Sequence, residues 1–368
     1  MHSGRSTLPY NAMLIEDSFI IFSLTTPKYT IINEKEVIGL LTDLAIQFFD
    51  TQPRRERAVF GLLAGKKTIS NLYAALTHQQ LQWLQLYPSL SKELFLQTVA
   101  QLKMHGQLTT TETGLVLTAK GQQFQRQAAK RVPLPTYYQP WMHLSKFAPR
   151  FFLAIQVLSE ASYHSQAYRP ISTDWANQQA VKRWYRQLNI ESAIADLIAL
   201  FERLPPQLAD ILAANLIGHE YAGQAQPPTL SARFRRINAL AALVNEIAGI
   251  KDEGNPWYEL WGGPQDLVTR PARYSLQQVQ AGVGLKAIAS KSHRKLSTVK
   301  EHLLLAAIMG ESLPVEQLIP QPIHQALDQI DHWQDHQVLL DAVPASDFFQ
   351  VRLFQILKLQ GRWSRVAT

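Results

Sequence analysis

Apolar residues in this chain recur every three to four positions over long stretches, while the strict alternation of a half-buried strand is scarce. That periodicity confines the fold to a mainly α class. Residues 91–105 show it best. Ser91 is a good N-cap, and Leu94, Phe95, Thr98, Val99 and Leu102 then share one helical face. A helix from Glu34 to Phe49 follows the same logic, with Val37, Leu40, Leu41, Leu44 and Phe48 aligned.

The chain has 368 residues, which suggests two or three domains. Residues 1–12 read as a tail, or as upstream coding before a start at Met13, and a short strand or apolar lead-in follows. The first domain is expected over 13–130. Within it, helices are predicted at Arg54–Ala64, from Thr68, and from Ser91 to His105. Short extended segments then follow at Gln107–Thr110 and Leu115–Thr118. Three helices and then a hairpin is the order of a winged helix. Residues 131–150 carry Pro133, Pro135, Pro140 and Pro149, too many for a regular element, so a strap is expected there. A helical middle domain is expected over 151–250, with Ile190–Arg203 and Leu208–Leu216 amphipathic around Pro205-Pro206. Glycines and prolines break the pattern again over 251–274, and a last helical domain is expected over 270–368.

Composition removes several classes of chemistry. Cysteine is absent, which excludes disulfides, thiolate metal sites and cysteine nucleophiles. It fits a reducing compartment, and the expectation is a cytoplasmic protein. No apolar run reaches the ~18 residues of a membrane span, and no signal peptide is recognisable at the start. The formal net charge is +7 and unevenly distributed. Residues 113–159 hold six Lys or Arg, residues 267–300 hold seven, and neither tract contains Asp or Glu. Without these thirteen cations the rest of the chain is net acidic. Such clustering predicts a surface for a polyanion.

The second tract coincides with a helix-turn-helix pattern. Gly284-Leu285-Lys286-Ala287-Ile288-Ala289 supplies a first helix, and Leu296-Ser297-Thr298-Val299-Lys300-Glu301-His302-Leu303 a second. Ala289 is small where the helices cross, and Val299 and Leu303 are one turn apart on the face turned inward. Ser297 and Thr298 then stand at the end where recognition helices reach DNA. Arg270, Arg273, Lys286, Lys291, Arg294, Lys295 and Lys300 are the candidate phosphate contacts. Glu301 falls nearly opposite the buried face, where a carboxylate repels phosphate, so grip on the backbone is expected rather than base reading.

These residues, with Gly310, Leu313-Pro314-Val315 and Ser346–Leu353, resemble the helicase-associated helix-turn-helix domain found in some RecQ-type helicases and in YpbB-like proteins. Arg57-Ala58-Val59-Phe60 and Leu62–Thr68 are similar to the N-terminal signature of the YpbB-like group, and Leu216–Glu220 with Gly223 is a third similar segment. The resemblance implies an accessory protein acting with a RecQ-family helicase in replication, recombination or repair. The sequence departs from the usual pattern in the turn, where His293, Arg294 and Lys295 replace a glycine, an apolar residue and a capping Ser or Thr. Either the second helix starts late, at Ser297, or the turn is altered.

Other constellations carry less. Gly61-Leu62-Leu63-Ala64-Gly65-Lys66-Lys67-Thr68 imitates a P-loop with one residue too few between its glycines and Lys67 where Ser or Thr belongs. It reads better as a helix end followed by a basic helix start. His332-Trp333-Gln334-Asp335-His336 lacks the Glu of a zinc-protease helix. Tyr137, Tyr138, Trp141, Phe147, Phe151 and Phe152 interleave with cations. They suit either stacked bases or, more simply, rings that anchor the strap. The expectation is therefore a protein without catalysis and without cofactor that binds duplex or forked DNA. A helix-turn-helix transcriptional regulator and a protein-only helical adaptor are the alternatives.

Overall fold

The structure is a computed structural model that describes residues 34–363, apart from 225, 226, 228 and 251–253. The lead-in expected after Met13 lies outside the described residues. Among those described the chain is mainly helical, with one two-stranded hairpin.

The N-terminal unit begins with α1 (Glu34–Ala45) and a 3-10 turn, then α2 (Glu56–Leu63), α3 (Ile69–Thr77) and α4 (Lys92–Met104). The hairpin β1 (Leu108–Thr110) and β2 (Leu115–Leu117) and helix α5 (Ala119–Arg131) complete it. Ser91 caps α4, accepting from Leu94 N at 3.3 Å, and the five apolar-face positions read from the sequence are all buried. Burial of each large side chain on that face contributes about 1.5–3 kcal/mol. Arg54 bridges β2 like a one-residue third strand, its N donating to Leu115 O at 2.9 Å. A Cβ at Gly114 would lie 2.7 Å from the Arg54 backbone, so this crossing requires glycine. The element order is that of a winged helix. Helix α1 covers α4, and α5 is tied to α1 by Arg131, whose Nε and Nη2 donate to both Asp43 oxygens at 2.7 and 2.6 Å.

The P-loop imitation is a helix end. Gly61 is buried within α2, Gly65 follows it at φ +79°, and Thr68 is the N-cap of α3. Lys67 Nζ donates to Leu267 O at 3.2 Å, a link between distant parts of the chain.

The strap is shorter than expected. It ends at His143, and α6 (Leu144–Ser162) contains Pro149, at a position expected to be irregular. The helix tolerates the proline near its start at the cost of one internal hydrogen bond. Helices α7 (Trp175–Arg186), α8 (Ile190–Arg203), α9 (Pro206–Ala214) and α10 (Leu230–Gly249) follow. The second glycine- and proline-rich break holds a short helix, α11 (Pro256–Trp261). Its Trp257 and Trp261 are buried, and their indole N–H groups donate to Ala193 O at 2.9 Å and Met142 O at 2.8 Å. Satisfied indoles in a ring cluster are anchors that pin the break to the helices around it.

The C-terminal part contains α12 (Arg270–Gln280), α13 (Leu285–Lys291), α14 (Leu296–Ile308), α15 (Val315–Leu318), α16 (Gln321–Asp328), α17 (His336–Ala342) and α18 (Phe348–Leu359). Helix α14 is central and packs against α12, α13, α18 and also α3 of the N-terminal unit. Arg352 of α18 lies 3.7 Å over the Tyr73 ring of α3, strengthening that junction. One contiguous buried cluster runs from Leu41 to Leu357.

Candidate nucleic-acid interface

Helices α13 and α14 form the expected helix-turn-helix. Ile288 and Ala289 are buried under Val299 and Leu303, as the small residue and the one-turn spacing require. The turn is altered, and α14 starts at Leu296 rather than Ser297. His293 takes the left-handed conformation at φ +50°. His293 N donates to Ser290 O at 3.1 Å and Arg294 N to Ala289 O at 2.9 Å, closing a Schellman motif that normally uses glycine. A histidine there costs about 1 kcal/mol of backbone strain. Across the pair, Ser275 of α12 and His302 of α14 share a 2.8 Å hydrogen bond. Burial, with Arg294 nearby, holds the His302 imidazole below its ordinary value.

The N-cap of α14 is Lys295, and its side chain makes no capping bond. The first-turn N–H groups of Leu296, Ser297 and Thr298 therefore lack the oxygen that Ser, Thr, Asp or Asn would supply. Ser297 is exposed and Thr298 half-buried at this end. A helix start of this kind, ringed by cations, is suited to a phosphate. The sequence hid this feature, because Ser297 looks like a cap and instead lies inside the first turn.

The predicted cations fall into two groups. Arg270, Lys286, Lys291, Arg294 and Lys295 are exposed and make no ion pair among the described residues. Lys291, Arg294 and Lys295 are gathered in five residues around the turn, with Lys286 on the helix before it and Arg270 at the start of α12. Arg273 and Lys300 are engaged elsewhere. Arg273 Nε and Nη2 donate to Asp266 at 3.1 and 2.8 Å, and Nη2 pairs with Glu311 at 2.8 Å. The hydrogen bonds to Glu311 and Asp266 raise the Arg273 pKa further. Lys300 pairs with Asp347, the N-cap of α18, and lies over the Phe349 ring. These two cations are already paired with carboxylates of this chain. Asp266 lies seven residues before Arg273, whereas Glu311 and Asp347 come from distant segments that no local signal marked.

Groove entry is also narrower than the sequence implied. Residues 303–308 of α14 are all buried, so its second half is enclosed on every side. Only its first turns face outward, with Glu301 exposed among them. The aromatic tract is not a base platform: Phe147, Phe151, Phe152 and Tyr138 are buried, and Tyr138 Oη donates to Leu84 O at 2.9 Å. Among these six rings only Tyr137 is exposed.

Residues 272–355 match the family model of a helix-turn-helix domain. The match spans α12 to most of α18 and so takes in both the turn and the carboxylate that fixes Lys300. Comparison with curated proteins and with solved structures returned no match. A helix-turn-helix domain with exposed, unpaired cations at its turn points to DNA binding.

Proposed function

We propose that this protein is a non-enzymatic, cytoplasmic DNA-binding accessory factor that holds duplex or forked DNA through its phosphates and acts with a RecQ-family helicase. The observation that carries the DNA half is the group of three unpaired cations, Lys291, Arg294 and Lys295, beside the uncapped start of α14, with unpaired Lys286 on α13 and Arg270 on α12 of the same domain. Glu301, exposed on the same helix, and the enclosed second half of α14 favour backbone grip over base reading. Neutralising about five phosphates makes affinity fall on the order of several hundredfold between 50 and 200 mM salt. The helicase half rests on the sequence segments that resemble the helicase-associated and YpbB-like proteins.

The test is fluorescence anisotropy with duplex, forked and single-stranded DNA over a salt series, together with co-purification with a RecQ-family helicase. Selection from random duplexes separates this reading from a transcriptional regulator: no enriched motif is expected here, whereas a regulator gives a specific ratio of about 10³ or more. Failure to retain DNA at low salt sinks the DNA reading and leaves a protein-only adaptor. Failure to co-purify sinks the helicase partnership alone.

A further inference from the structure

A cavity of about 730 Å³ lies away from the turn, between the N-terminal unit, the strap and α10. Its size is that of small-molecule sites. Leu86, Leu90, Ile211 and Leu240 give it apolar walls. Arg233, Arg235 and Arg236 of α10 line it, and among the described residues none of its lining is an aspartate or glutamate. None of the three arginines makes an ion pair among the described residues. Arg233 lies 4.1 Å over the Tyr87 ring and is one turn from Arg236. Arg236 also borders an adjoining cavity of about 220 Å³, whose lining includes one acid, Asp174. The Asp174 carboxylate already accepts from Asn177 N at 2.7 Å as the cap of α7.

Arg236 loses hydration on burial and is opposed by Arg233 one turn away, which costs stability unless an anion joins them. The surroundings do not relieve this. His143 lines the same cavity, and burial together with Lys146, Arg150 and Lys67 holds its imidazole below the ordinary value. Planar guanidinium forks match phosphate oxygens two at a time, and apolar walls accept an organic body.

We propose that this cavity binds a small organic phosphate, with Arg233, Arg235 and Arg236 holding the phosphate and the leucine-lined wall taking the organic part. The occupant touches both the N-terminal unit and the middle helices. The site is separate from the DNA interface and does not depend on it.

The experiment is titration calorimetry of the full chain with ADP and with inorganic pyrophosphate, using adenosine and a short blunt duplex as comparison ligands. ADP is expected to bind more tightly than about 1 mM, and adenosine at least roughly tenfold more weakly than ADP. The double variant Arg235→Gln with Arg236→Gln is expected to lose roughly tenfold or more in ADP affinity, with DNA binding within about twofold of the parent. Should that variant not fold, Arg235→Gln alone, at an exposed position, is expected to lose about threefold. The proposal is overturned if neither ADP nor pyrophosphate binds, if adenosine binds as well as ADP, or if the variants bind ADP as the parent does. It is equally overturned if the duplex displaces ADP competitively, since the cavity would then serve nucleic-acid phosphate.

Discussion

The N-terminal unit and the C-terminal domain each centre on a helix packed against its neighbours, α4 in one and α14 in the other, yet only α14 starts beside a cluster of unpaired cations. In the N-terminal unit, α4 is covered by α1, and its exposed cations Lys92 and Lys103 are separated by Glu93 and by neutral Gln97 and Ala100. The hairpin tip, residues 109–113, is exposed and carries threonines and Glu112 with no cation. In the C-terminal domain, unpaired Lys291, Arg294 and Lys295 flank the turn and the start of α14. A packed helix therefore does not by itself define the surface it presents. A polyanion is attracted by side chains left unpaired, not by the motif that carries them.

The largest effect expected is from charge reversal at the turn. Lys291→Glu with Lys295→Glu should lower duplex affinity at low salt on the order of a hundredfold and flatten the salt slope by about two. The matching pair Lys92→Glu with Lys103→Glu on α4 should change it by less than about threefold. Equal losses in an anisotropy series would erase the distinction between the two units.

The junction between the units comes next. Arg352→Ala removes the cation stacked on Tyr73 and should cost about 1–2 kcal/mol in denaturant unfolding. His293→Gly relieves the left-handed turn and should raise stability by about 0.5–1 kcal/mol with DNA binding unaltered. Loss of stability there would show that the histidine ring makes up for its backbone strain.

Smaller still, Lys300→Met should leave DNA affinity within about twofold, because Asp347 already holds that cation. A loss as large as that from the turn cations would mean that DNA displaces Asp347.

A last, subtle difference is expected with pH. His302 binds its proton less readily when folded than when unfolded, so its share of stability is present above the ordinary histidine range. That share is lost as pH falls through about 6.5 toward the lower folded value. The thermal midpoint should fall less over this range in His302→Gln than in the parent.

Much of this was legible in the residues. Ser91, Leu94, Phe95, Thr98, Val99 and Leu102 foretold α4, because capping and helical spacing are local. Ile288, Ala289, Val299 and Leu303 foretold the helix pair for the same reason. Pro149 misled, since proline near a helix start is tolerated once the following turns are packed. The pairing of Lys300 and Arg273 was not legible. Both stand in an acid-free stretch, and their carboxylate partners lie outside it.

The sequence by itself determined the helical class, the hairpin, the helix-turn-helix and the basic character of residues 267–300, all of which follow from short-range spacing and composition. Tertiary structure alone decided which of those cations stay unpaired, that α14 opens only at its uncapped start, and that three arginines of α10 share a recess with no acid among its described lining residues. These depend on which distant side chains are brought within a few ångströms. Pairing and desolvation act through space, and the order of residues along the chain does not encode them locally.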